Sequence, residues 1–325
     1  MRLRVGLLIA ATALTSCSAS NEHTETIRLT IPRGATLTAV AETLVAHDVI
    51  RSQKLFKLYA TVSGRQRAIQ AGTYELPETA SMRRVLMTLV SGGEVLERLV
   101  LPEGLMLGEV AEWVSQQIHI DPDSFLAACR DPELLARTGA PVETLEGYLY
   151  PSTYYVRVNA TAREVVRHML DEFKARWRAG WDARAQELGM SPHEVVILAS
   201  IIEGEVRYDP DRKYVSSVYH NRLARHMRLQ ADPTVIYALG RRRRLYQRDY
   251  QIRSPYNTYL IDGLPPGPIC QPSEASLEAA LFPANTDFLY FVAGPGGKHV
   301  FSRTYREHLA AIREVRRQEA GQTRR

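Results

Sequence analysis

A chain of 325 residues with 45% hydrophobic content can build two or three modest domains with real cores, and it holds no internal repeat and no low-complexity segment. Its net charge of +5 and pI near 9.1 come partly from Arg241-Arg242-Arg243-Arg244 and from a tail carrying Arg313, Arg316, Arg317, Arg324 and Arg325. No basic helix with interleaved aromatics and no glycine-rich phosphate loop accompanies that charge. It therefore reads as a solvated loop and a frayed tail, with attraction to anionic lipid or polymer as the second reading and no nucleic acid partner.

Arg2 and Arg4 precede an apolar run over 5–14, too short to span a bilayer and suited to the core of a secretory signal. The run ends in Leu14-Thr15-Ser16-Cys17, which resembles the bacterial lipobox. Residues 1–17 are expected as a lipoprotein-type signal peptide, with lipid on Cys17 holding the mature chain on a membrane without a spanning helix. A plain cleaved signal with an incidental cysteine is the competing reading. Cys129 and Cys270, far apart in sequence, read as small buried hydrophobes in preference to a bridged pair.

Residues 26–95 read as one compact α+β unit. Ile27, Leu29 and Ile31 alternate with polar residues as in a strand, 39–46 and 52–62 are expected as helices, 72–76 as extended and 81–90 as a helix, before Ser91-Gly92-Gly93 breaks the pattern. A connecting α+β piece follows over 96–140, with a strand at 97–101, a helix at 107–118 and another at 123–130 capped by Asp121 or Asp123. A larger mixed α+β domain is expected over 141–320. It opens on Glu146-Gly147-Tyr148-Leu149-Tyr150-Pro151-Ser152-Thr153-Tyr154-Tyr155, whose four tyrosines suit a cleft for sugar or peptide and equally a hinge packed between domains.

An amphipathic helix over 162–177 leads to Ser191-Pro192-His193-Glu194, where a cap, a proline at the first helical position and a glutamate completing a capping box define a helix start. Residues 195–202 carry one polar side chain, Ser200, so this helix should run through a core. Glu203 closes it. Desolvation and the negative end of the helix dipole should both favour its protonated form, and Arg207 should oppose them. A carboxyl held protonated is a candidate general acid, and an ordinary surface glutamate after a core helix is the alternative.

A further helix is expected over 214–227. Asp232, before Pro233, reads as a helix cap ahead of a catalytic carboxylate. The irregular, amide- and hydroxyl-bearing strings Ser254-Pro255-Tyr256-Asn257-Thr258-Tyr259 and Gly263-Leu264-Pro265-Pro266-Gly267-Pro268-Ile269 suit binding loops, or in the second case a fixed turn. A helix over 273–282, a hairpin of 288–293 with 299–302 and a helix over 304–318 finish the chain. His299 reads as a strand residue ahead of a catalytic base. No His-x-x-x-His or Cys-x-x-Cys pairing and no Gly-x-Ser-x-Gly elbow is present, so neither a metal nor a cofactor is expected.

The strings Glu146-Gly147-Tyr148-Leu149, Ala199-Ser200-Ile201-Ile202-Glu203, Asn221-Arg222-Leu223, Leu229-Gln230, Asp232-Pro233-Thr234-Val235-Ile236-Tyr237, Tyr256-Asn257-Thr258-Tyr259 and the Pro-rich turn follow one another over roughly 140–300. In that order they resemble the bacterial endolytic murein transglycosylases, the YceG-like family. The resemblance implies a LysM-like subdomain, to which residues 28–95 are more weakly similar, followed by a catalytic domain whose essential glutamate falls on Glu203. It also implies a peptidoglycan lyase that cuts the β-1,4 bond between N-acetylmuramic acid and N-acetylglucosamine and leaves a 1,6-anhydro end, one carboxyl serving as acid and then base. Glu205, two residues along the helix, would point to a nearly opposite face. Glu146, Tyr148, Gln230, Asp232, Tyr256 and Asn257 are the expected substrate-binding residues.

Two departures stand out. Family members commonly carry a spanning helix where this chain has Cys17, so attachment at the periplasmic face of the inner membrane would be by lipid; Ser18 leaves the choice of membrane open. Lysine is usual where Gly204 stands, and glycine there would favour ending the helix at Glu203. Partnership with cell-wall synthases and termination of growing strands are family-level expectations. A muramidase using water and a non-catalytic glycan-binding protein are the rival readings.

Overall fold

Hydroxyl and carboxylate caps set where most helices begin. In the computed structural model, which describes residues 26–78, 80–92 and 95–322, Thr36, Ser52 and Ser81 each accept the backbone N–H three residues on. These caps start helices α1 (Leu37–Ala46), α2 (Gln53–Val62) and α3 (Met82–Ser91). The expected signal peptide and Cys17 lie outside the described residues.

The chain divides after Val95 into two units. In the first, β1 (Thr26–Ile31) pairs antiparallel with β2 (Gly72–Pro77), Leu29 opposite Tyr74. The period of two turns Leu29 and Ile31 inward, where they join Val40, Leu44, Phe56 and Leu86 in one buried cluster. Strand, two helices, strand and a closing helix thus form a small α+β body with its own core.

The second unit, from Leu96 on, begins with β3 (Leu96–Val100), α4 (Leu107–Ile118), α5 (Pro122–Ala128) and α6 (Pro132–Ala136). Asp121 caps α5. Strand β3 pairs antiparallel with β4 (Thr153–Arg157), which the tyrosine-rich string did not announce. Leu99, Val110, Val114 and Phe125 share one core with Leu170, Leu198 and Ile201, so residues 96–140 are continuous with the larger domain.

Helices α7 (Ala162–Arg176), α8 (Trp181–Glu187), α9 (Pro192–Glu205), α10 (Arg212–Ala224), α11 (Asp232–Ala238) and α12 (Glu274–Leu281) follow. The hairpin β5 (Tyr290–Ala293) and β6 (His299–Ser302) and the long α13 (Tyr305–Gln322) close the unit. Among the described residues, three two-stranded antiparallel sheets with many helices give an α+β fold. Cys129 and Cys270 are free thiols, both buried. No described helix is long and apolar enough to cross a membrane.

Helix α9 is the axis of the second unit. Ser191 and Glu194 form the expected capping box, and Val195 through Ile202 are all buried, in keeping with a helix that is apolar all round. Its buried hydroxyl is satisfied twice: Ser200 Oγ donates to the Ile197 carbonyl at 2.7 Å and accepts the Ile269 N–H at 3.0 Å. The second bond ties the Pro-rich turn to the helix. Gly147, at φ +82°, lets the tyrosine-rich loop meet the same turn, because a Cβ there would lie 2.4 Å from Pro268.

Candidate active site

The C-terminal turn of α9 carries two carboxyl groups separated by one glycine. The helix does not stop at Glu203; it continues to Glu205. Gly204 has a packing reason, since a Cβ at that position would meet Pro233 Cβ at 2.7 Å. The start of α11 is therefore pressed against the last turn of α9, and Glu203 and Glu205 leave the helix in different directions.

Glu203 turns toward the start of α12. Its side chain is 6% exposed and one oxygen, Oε2, accepts from Arg212 Nη1 (3.1 Å), the Ser273 N–H (2.9 Å), the Ser276 hydroxyl (2.7 Å) and the Ser273 hydroxyl. The burial expected from the sequence is present, but the isolation is not. The compensating cation is Arg212, and Arg207 makes no bond to it. Glu203 ties the end of α9 to the first turn of α12 and to the start of α10.

Glu205 turns the other way, onto a cavity of about 420 Å³ that it lines with Gln230, Asp232, Tyr259, Tyr290 and His299. Burial pushes its carboxyl up to about 7, and the negative charge of Asp232 pushes in the same direction. The Tyr219 hydroxyl, donating at 3.0 Å, and the Arg222 guanidinium pull the other way.

Asp232 does not cap α11. Ala231 holds the N-cap position and Asp232 is the first helical residue. Its carboxylate accepts from the Tyr259 hydroxyl at 2.6 Å and the Tyr250 hydroxyl at 3.4 Å, and those phenols are pushed up by burial and by the carboxylate. Gln230 has φ +50°, a left-handed conformation that strains a residue with a Cβ. Its backbone N–H donates to the Thr258 carbonyl at 3.1 Å, while its side-chain amide bonds to no described residue and lines the cavity.

The remaining expected site residues lie apart from this cavity. Asn257 has no exposed surface; its amide donates to the carbonyls of Tyr250 and Ile252 and accepts from the Tyr259 N–H. It shapes the loop that presents Tyr259. Glu146 is buried, accepting from the Leu107 N–H (2.9 Å) and Gln271 Nε2 (2.7 Å), and burial pushes it up to about 8. Tyr237 sits against Glu146, and Tyr256 packs on Tyr237 at 4.7 Å between ring centres. Tyr148 reaches His193 Nδ1 at 2.7 Å near the N-terminal end of α9, on the wall of a separate cavity of about 520 Å³ with Phe173 and Trp177.

Of the expected residues, then, Gln230 and Asp232 share a cavity, and the acid they share it with is Glu205. The sequence signal for it was a second carboxyl on the same helix. No group of three or more His, Cys, Asp or Glu side chains among the described residues could hold a metal ion.

The sequence matches the YceG-like family over residues 29–314. It is 32% identical over 303 residues to a Bacillus subtilis protein named endolytic murein transglycosylase, covering 88% of this chain and 84% of that one. A Streptococcus pneumoniae protein of the same name is 28% identical over 317 residues, which span 87% of this chain and 57% of the relative. The backbone superposes on the crystal structure of a YceG-like protein from Listeria monocytogenes with a TM-score of 0.62 and 34% identity, covering 89% of this chain and 99% of that one.

Proposed function

The chain belongs to the YceG-like family, and from that premise and the cavity at the end of α9 we propose that it is an endolytic murein transglycosylase, a lyase acting on peptidoglycan strands in the cell envelope. One observation carries the reading: the half-buried Glu205, its carboxyl pushed up to about 7 by desolvation, opens on a cavity that also presents the uncommitted amide of Gln230 and the carboxylate of Asp232. A carboxyl that keeps its proton near neutrality can hand it to a leaving glycosidic oxygen. The acid is thus moved from Glu203, where the family strings put it, to Glu205, because Glu203 is engaged by Arg212, Ser273 and Ser276.

In this mechanism Glu205 protonates the oxygen between N-acetylmuramic acid and N-acetylglucosamine as the C1–O bond breaks. The 6-hydroxyl of the muramyl residue closes on C1 and leaves a 1,6-anhydro end. Being already on the sugar, that hydroxyl outcompetes water by proximity. Asp232, its charge held in place by Tyr259 and Tyr250, faces the positive charge that develops at C1. Gln230 holds a hydroxyl or acetamido group and Asn257 shapes the loop that presents Tyr259, while Glu146, Tyr148 and Tyr256 stand outside the cavity and hold other parts of the unit together. The first unit serves as a LysM-like glycan-binding body, Cys17 carries a lipid anchor to the inner membrane, and the cut terminates growing strands alongside the synthases.

Two carboxyl groups on one cavity also suit a muramidase that uses water, with Asp232 as its second carboxylate. One experiment separates the readings. The full chain is incubated with purified glycan strands and the new ends are weighed. Anhydro ends that disappear in Glu205→Gln support the transglycosylase; reducing ends identify the muramidase, and uncut strands from the unaltered protein leave only a glycan-binding role.

A further inference from the structure

His299 enters the wall of the Glu205 cavity from β6 with one side of its ring fixed. Its backbone N–H donates to Asp211 Oδ2 at 2.6 Å, and its Nδ1 lies 3.1 Å from the same oxygen. The side chain is 3% exposed, with Phe291 edge-on at 5.2 Å between ring centres and Phe301 at 6.1 Å. A carboxylate only accepts, so Nδ1 carries the hydrogen, which leaves Nε2 as the ring atom able to present a lone pair. That atom bonds to no described residue, and the ring lines the cavity.

The hairpin that delivers His299 is seated on the segment following Glu205. The Lys298 ammonium lies 5.0 Å from the centre of the Tyr208 ring, and Gly297 lies against Arg207 closely enough that a Cβ would meet the Arg207 Cβ at 3.3 Å. Asp211 stands at the start of α10 in that same stretch of chain. His308, the other imidazole on the wall, stacks on Tyr290 and has no partner at its buried Nδ1, so nothing fixes its tautomer. A carboxylate–imidazole pair aimed at a cavity is the arrangement that prepares an imidazole to take a proton.

We propose that His299, oriented by Asp211, is the base that receives the proton of the attacking 6-hydroxyl, so that two residues divide the work of one turnover. The inference rests on the reading of this cavity as the glycan-cutting site. Glu205 gives its proton to the leaving O4 as C1–O4 breaks; O6 bonds to C1 and its proton passes to His299 Nε2. The products are the 4-hydroxyl of the released sugar, the anhydro end, a Glu205 carboxylate and an imidazolium facing Asp211. After product departure the imidazolium returns its proton to Glu205 through water, and the net proton count is unchanged.

The test uses the full chain and purified glycan strands. His299→Gln keeps a polar side chain that cannot take the proton, and it should lose kcat by about 100-fold with KM within about twofold of the unaltered protein. Asp211→Asn should lose about tenfold, because the ring is no longer held in one tautomer. Imidazole added to His299→Ala should restore the rate in proportion to its concentration, a response that a purely structural histidine would not give. A kcat for His299→Gln equal to that of the unaltered protein, a rise in KM alone, or a His299→Ala deficit that imidazole leaves untouched would each overturn the assignment. If Glu205→Gln is dead while His299→Gln is fully active, only this inference fails; if both retain full activity, the cavity reading falls with it.

Discussion

Glu146 and Glu205 are both carboxyl groups pushed up by burial, to about 8 and about 7, yet their surroundings differ in the respect that matters for chemistry. Glu146 is enclosed by the Leu107 N–H, the Gln271 amide and Tyr237, and it locks the tyrosine-rich loop to the segment before α12. Glu205 borders open volume, with an uncommitted amide beside it. A shifted titration therefore marks desolvation in both places and a candidate site in only one. Access and unengaged polar groups make the difference.

The largest expected effect tests that contrast directly. Glu205→Gln should lower the release of cut glycan by about 1,000-fold, whereas Glu146→Gln should stay within a few-fold of the unaltered rate. Equal losses in the two variants would erase the distinction. Glu203→Gln sharpens the comparison from a third position: it removes one of the two anionic partners of Arg212, leaving Asp209, and should cost about 2 kcal/mol in urea unfolding. If stability holds and only the cut is lost, Glu203 is the acid after all.

The pH dependence of stability treats Glu146 and Glu205 alike. Each binds its proton more tightly in the folded state than at the ordinary value near 4.5, so its stabilising contribution is complete below that value. It is lost as pH rises through about 7 for Glu205 and about 8 for Glu146, by up to about 1.4 kcal/mol per pH unit for each group. Thermal melts from pH 5 to 9 should show this loss, and each Gln variant should remove its own part. A flat profile would mean that neither carboxyl is desolvated. The rate of cutting should fall over the same range as Glu205, because the acid form is lost. The smallest effect belongs to Gln230→Gly: relief of left-handed strain should keep stability within about 1 kcal/mol, while KM for glycan rises. An unchanged KM would take Gln230 out of the site.

Local signals made much of the fold legible. Ser52, Ser81, Ser191 and Ser273 cap helices expected from the residues that follow them, and α4 runs over the residues its pattern marked. What stayed hidden depends on distant partners. Strand β4 exists because β3 lies beside it, and the tyrosines of its string had no periodicity strong enough to announce it. Asp232 had the spacing of a cap, but Tyr250 and Tyr259 claim its carboxylate from a loop more distant in sequence. The opposed directions of Glu203 and Glu205 followed from helix geometry alone. Which direction faces a cavity is fixed by Pro233 packing on Gly204 and by the hairpin that carries His299, and neither is visible from α9 itself.

That hairpin and α13 supply Tyr290, Phe291, His299, Tyr305 and His308 as one wall of the cavity. Those residues leave the ribosome after Glu205, Gln230, Asp232 and Tyr259 have already emerged. A polypeptide that ends before Tyr290 has Glu205, Gln230 and Asp232 but lacks this wall, so the cavity is closed on that side only once the hairpin and the start of α13 have been made.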